Sequence, residues 1–149
     1  LGNSPYSYMK DAVRDRDIAL TTTNGTQAIQ TAKNARQIVI GSFLNYTALC
    51  NWLQTQDNNI ILLCSGWKNA FNFEDTLFAG AVVKKLLPHF SLNAHRDLYS
   101  FLEKSSHRKR LEKLHIEDDI EFCLRSDYTD VIPVLVGDAI YNLNVLQSI

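Results

Sequence analysis

An α/β fold, three-layered as α/β/α with a mainly parallel sheet and a carboxyl-terminal edge hairpin, is predicted by three observations. Short apolar runs recur about every 20 residues between Asp17 and Cys64, and helical patterns separate them. Two of these runs are continuous rather than alternating, as strands covered on both faces require. Near the end of the chain, two further apolar runs flank Gly137-Asp138, a turn pair.

The elements follow in order. Ile18-Ala19-Leu20-Thr21-Thr22 reads as a strand, and residues 26–36, with Ala28, Ile29, Ala32 and Ala35 at helical spacing, read as a helix. Gln37-Ile38-Val39-Ile40-Gly41 is the next strand, and residues 46–56 form the next helix. Asn59-Ile60-Ile61-Leu62-Leu63-Cys64 repeats the strand type. The third helix, 74–87, places Leu77, Phe78, Ala81, Val82 and Leu86 on its apolar positions and stops at Pro88. Strands linked by helical crossovers lie parallel to their neighbours. Beyond Pro88 the pattern turns helical, over 92–104 and 117–125 with a basic stretch between them. Residues 131–136 and 139–141 then form the hairpin, with Pro133 on the edge because it cannot donate to a ladder.

Composition limits the function classes. At 149 residues and 46% hydrophobic, the chain suits one domain with a continuous core. Lys and Arg total 15 against 16 Asp and Glu, so there is no global field to gather nucleic acid or an anionic membrane. An anionic ligand must be held locally. The three cysteines, Cys50, Cys64 and Cys123, fit neither a disulfide framework nor a zinc site, and reduced thiols point to the cytoplasm. No apolar run reaches the roughly 20 residues that span a bilayer, so no membrane role is expected. Arg108, Lys109, Arg110 and Lys113 are interrupted by Glu112 and read as a solvated helix face rather than an RNA surface.

In an open α/β sheet, ligands sit outside the carboxyl ends of the strands, which directs attention to three loops. Thr22-Thr23-Asn24-Gly25-Thr26 combines a Gly that tolerates positive φ with hydroxyls and the free N–H groups of a helix start, a cradle for an anion. Gly41-Ser42-Phe43-Leu44-Asn45 supplies Asn45 to orient a ligand. Cys64-Ser65-Gly66-Trp67-Lys68-Asn69 supplies Ser65 and Gly66, with Lys68 as either a solvated lysine or a rim cation, and leads on to Glu74-Asp75. Each loop also has an ordinary reading as a helix cap or turn. Two readings stay open for Glu74 and Asp75 as well: compensation of a helix dipole, or a carboxylate site for Mg²⁺.

Several phosphate chemistries are excluded by motif. No Gly-x-x-x-x-Gly-Lys-Ser/Thr occurs, and no Gly-x-Ser-x-Gly elbow. Cys64 ends a strand, yet Ala70 stands where a thiol phosphatase needs Arg, so Cys64 reads as a small buried thiol. No second Asp follows Asp17 to make an aspartyl nucleophile.

Taken as an ordered set, Gly2-Asn3-Ser4-Pro5, Leu20 through Thr26, Gly41-Ser42-Phe43-Leu44-Asn45, Cys64-Ser65-Gly66, and Phe73-Glu74-Asp75 with Ala79-Gly80-Ala81 resemble the 2-phosphosulfolactate phosphatases. The resemblance covers most of 2–87 and implies an α/β/α enzyme that removes phosphate from 2-phospho-3-sulfolactate with Mg²⁺, on a route to coenzyme M. It further implies that this chain is the carboxyl-terminal portion of a longer one, since family members carry an amino-terminal α/β portion with Asp and Arg motifs. Asp75, with Glu74, would then be both catalytic and metal-holding. Thr22, Thr23, Asn24, Gly25, Thr26, Asn45, Ser65, Gly66 and Lys68 would bind a small anionic phospho-acid. The alternatives are another phospho-acid or sugar-phosphate hydrolase, or a non-catalytic anion-binding or assembly domain. A sheet edge left bare by a missing portion predicts a homo-oligomer.

Overall fold

The computed structural model describes residues 2–68, 70–89 and 117–146. The helix expected over 92–104, the basic stretch after it and Asn69 lie outside these.

Helix α1 runs Gly25–Ala32, α2 Tyr46–Gln54 and α3 Phe73–Leu86, each close to the span its periodicity predicts. Helix α4 is Glu117–Cys123; the hairpin strands are β1, Pro133–Val136, and β2, Ala139–Asn142; a short α5, Leu143–Leu146, follows. The start of α3 has a local cause. Asn72 accepts the Glu74 amide at 3.0 Å, Glu74 and Asp75 occupy the first turn, and Lys84 and Lys85 the last, so both ends oppose the helix dipole. Helix α2 begins differently, because its Asn45 makes no side-chain cap. Asp127, 80 residues away, accepts the Thr47 amide at 2.6 Å and the Thr47 hydroxyl at 2.9 Å.

The core lies where α2 and α3 meet the hairpin. Leu49, Cys50, Leu53, Val82, Ile132, Val134 and Leu143 are buried together, with Val39, Trp52, Leu62 and Phe78 packed around them. Full burial of Leu49 or Leu53 stabilises by roughly 1.5–3 kcal/mol each. Tyr46 adds a hydrogen bond from its hydroxyl to the Ala81 carbonyl at 3.0 Å, joining α2 to α3. Gly41 is held to glycine by closeness: a Cβ there would stand 2.5 Å from Leu49 Cδ2 and 2.8 Å from the Phe78 ring.

The hairpin pairs antiparallel, Val134 opposite Tyr141 and Val136 opposite Ala139, with Gly137 at φ +61° in the turn. On its other side β1 meets the second expected strand, again antiparallel. Ile40 donates to the Pro133 carbonyl at 2.9 Å, Leu135 donates to the Ile38 carbonyl at 3.0 Å, and Val39 bridges Val134. Thus β1 is flanked on both sides, and Pro133 fits because it is the first residue of its strand, where a missing N–H is tolerated. Residues 18–22 and 59–64 join no ladder among the described residues.

Candidate functional site

The first loop is locked by two reciprocal bonds. The Thr26 amide donates to Thr22 Oγ1 and the Thr22 amide to Thr26 Oγ1, both at 3.1 Å. Because each hydroxyl oxygen already accepts, its own proton is left to donate outward. The Gly25 amide, in the first turn of α1, meets no acceptor among the described residues, and the dipole of this eight-residue helix favours negative charge there. Gly25 is needed for the lock, since a Cβ would stand 2.9 Å from Thr22 Oγ1.

The third loop turns tightly. Trp67 and Ala70 exchange both main-chain bonds at 3.0 Å, Gly66 adopts φ +67°, and Lys68 is left-handed at φ +51°. Such a φ disfavours a residue with a Cβ, so this loop carries backbone strain. The Lys68 amide donates to Asn24 Oδ1 at 3.1 Å, tying the third loop to the first. Lys68 Nζ itself lies 4.8 Å from the centroid of the Trp67 ring, a cation–π placement.

Asp75 closes the other side of this loop. Its Oδ2 accepts from the Ser65 hydroxyl at 3.0 Å and the Gly66 amide at 2.8 Å. Oδ1 has no hydrogen bond to another described residue. Ser65 is thereby aimed at Asp75. Beside it, the Cys64 thiol is pushed above its ordinary value by partial burial and then by the Asp75 charge, with a Thr76 hydrogen bond opposing. Cys64 is exposed rather than buried as its sequence suggests, but a thiol held neutral in this way is a poor nucleophile.

Asn45 is buried and fully occupied as a donor. Its Nδ2 reaches the Ile40 carbonyl at 3.2 Å and the Val131 carbonyl at 2.9 Å, while its Oδ1 accepts the Ser42 amide at 2.9 Å. It shapes the second loop from inside. Asp127 clamps that loop from outside, its amide donating to the Phe43 carbonyl at 3.0 Å. The partners of Asp127, Phe43 and Thr47, are too distant in the chain to leave a local signal in the sequence. Gly25, Ser42, Ser65, Asn72, Glu74 and Asp75 all line one cavity of about 1400 Å³, so parts of all three loops open on the same space.

Helix starts, small residues and carboxylates from the three loops thus meet around one cavity in a chain of mixed α and β structure. Comparison with known proteins supplies the family. The family model described as 2-phosphosulpholactate phosphatase matches residues 1–138, and the chain belongs to this family. A probable 2-phosphosulfolactate phosphatase of Thermotoga petrophila is 39% identical over 148 residues, covering 92% of this chain and 64% of that protein. Its Thermotoga maritima counterpart is 37% identical with the same coverage. The Clostridium novyi protein of that name is 33% identical, over 88% of this chain and 61% of its own length. The chain thus spans about three-fifths of the curated relatives it matches.

Proposed function

We propose that this chain contributes the anion-binding rim of a phosphoric monoester hydrolase acting on 2-phospho-3-sulfolactate. The observation that carries the reading is the 3.1 Å bond from the Lys68 amide to Asn24 Oδ1, which holds the anion-cradling first loop against the loop that Asp75 anchors. Family membership supports the reaction: water displaces the alcohol oxygen at phosphorus, yielding 3-sulfolactate and inorganic phosphate.

The Gly25 amide and the hydroxyls of Thr22 and Thr26 bind phosphoryl oxygens, with Thr23 alongside them. Asn24 sets the distance between first and third loops. Asn45 orients the second loop rather than touching the ligand, since both its donors are engaged. Ser65 and Gly66 hold Asp75, and Lys68 contributes positive charge near the rim.

Mg²⁺ fits this donor set in one respect. Asp75 Oδ1 is a hard oxygen with no hydrogen bond to another described residue, and Mg²⁺ is commonly bound by one or two carboxylates with substrate oxygens and waters. Among the described residues, no group of three acidic, His or Cys side chains is placed to enclose a metal. Asp75, with Glu74, would hold it, and the ion would neutralise charge on the phosphoryl oxygens. What the chain itself does is bind and orient.

The three-layer α/β/α architecture, a single domain over 1–149 forming the carboxyl-terminal part of a longer phosphatase, a place in coenzyme M formation, a cytoplasmic location and self-association belong to the same proposal. No described helix is long and apolar enough to cross a membrane. The test is a phosphomonoester panel assayed with and without Mg²⁺. Phosphate release that requires Mg²⁺ and is fastest from 2-phospho-3-sulfolactate is expected, with low turnover for this chain alone. Equal rates on sugar phosphates would overturn the substrate assignment.

A further inference from the structure

Two extended segments carry the sequence of interior strands without the surroundings of one. In residues 59–64, Leu62 packs on the core, while Ile61 is 86% and Leu63 51% exposed on the alternate positions. Both faces are therefore apolar, and one is bare. In residues 18–21, Ile18 is 44% and Leu20 62% exposed. Neither segment makes a main-chain hydrogen bond to another described residue. Unpaired N–H and C=O groups beside exposed β-forming side chains are a template for strand addition.

The cavity next to residues 59–64 also bears on the occupant. At about 1400 Å³ it exceeds the roughly 300–1000 Å³ typical of small-molecule sites, and Ile38, Val39, Ile60, Ile61, Leu62 and Leu63 contribute to an apolar wall. A polypeptide segment suits such a space better than a phospho-acid does. A second copy pairing through 59–64 would fill one edge and leave 18–21 bare. The relatives, by contrast, match about nine-tenths of this chain, and each has more than a third of its own length outside the match.

We propose that residues 18–21 and 59–64 form a docking surface for β-strands from the part of the family's chain that lies outside the match. Added strands satisfy the two main chains and cover Ile61 and Leu63. Because Gly25, Ser65 and Asp75 line the same cavity, the docked region would stand beside the anion-binding rim.

Hydrogen exchange read by mass spectrometry tests this without any activity assay. The 149-residue chain is compared alone and with an excess of the unmatched region of the Thermotoga petrophila relative. Alone, amides of 18–21 and 59–64 are expected to exchange freely. Adding the region should give a 1:1 complex by light scattering and slow those amides by roughly a hundredfold. Ile61→Lys should abolish the complex while leaving the melting of the chain alone unchanged, since that side chain is mostly exposed. Three results would overturn the proposal: protection already present in the monomeric chain, unchanged exchange in the mixture, or a complex whose protected amides lie elsewhere.

Discussion

The Lys68 main-chain amide donates to Asn24 Oδ1 at 3.1 Å across 44 residues of sequence, joining a strained turn to the residue that precedes α1. Asn24 does not cap its own helix with its side chain, which leaves that oxygen to hold the third loop. Asn24→Ala should therefore separate the loops. Phosphate affinity, read by NMR titration, is expected to fall about tenfold, while unfolding free energy falls by about 1 kcal/mol. Asn24→Asp keeps the acceptor and should retain the loop contact while binding phosphate less well.

Gly25→Ala tests the first loop itself. Its Cβ would press on Thr22 Oγ1 and open the Thr22–Thr26 lock, though α-helical φ at this position accommodates alanine. Phosphate binding should weaken several-fold, with a stability change within about 1 kcal/mol of zero. Undiminished binding in calorimetry would place the anion elsewhere.

Asp75→Asn keeps a side-chain oxygen for the Ser65 hydroxyl and the Gly66 amide but removes the charge. The Mg²⁺ response of phosphate release is expected to vanish, with a loss of about 1 kcal/mol or less in stability. A mutant with normal Mg²⁺ response would make Asp75 a loop anchor alone. Asp75→Ala also leaves both donors without their acceptor, and should destabilise by about 1–3 kcal/mol in urea titrations.

Asp127 is left-handed at φ +58° and caps α2 through Thr47. Asp127→Ala loses the cap and puts a residue with a Cβ but no local polar group into a disfavoured backbone region. A cost of about 1–2 kcal/mol is expected in denaturant melts. Asp127→Gly relieves the backbone and should recover part of it.

Alkaline pH should destabilise the fold. Burial pushes the Cys50 thiol above its ordinary 9.0, with Lys85 opposing and Asp127 adding to the rise, and burial likewise pushes Tyr46 above 10.0, with Cys50 and Asp127 adding. A raised folded-state value means that stability is fully present below the ordinary value and is lost as pH rises through the folded one. Melting temperature is therefore expected to decline from about pH 9 upward. Cys50→Ala should flatten the early part of that decline while lowering stability at neutral pH.

Much of the local structure was legible in the chain. Apolar spacing placed α1, α2 and α3, and Gly137 between two apolar runs placed the hairpin, because helix periodicity and turn chemistry act over a few residues. The same spacing set Ser65, Gly66 and Asp75 near one another, ten residues or fewer apart, and the structure joins them by hydrogen bonds.

The remaining contacts join partners distant in sequence. Asn45 looked like a ligand-facing amide, yet the Val131 carbonyl 86 residues away draws its side chain inward. Thr47 takes its cap from Asp127, and β1 takes residues 38–40 as a second neighbour through bonds that no local pattern encodes. A β-forming run states that its main chain needs partners but not which ones, because any strand offers the same N–H and C=O groups. Residues 59–64 show this directly: their sequence calls for a covered strand, and whether it is covered depends on what packs beside it.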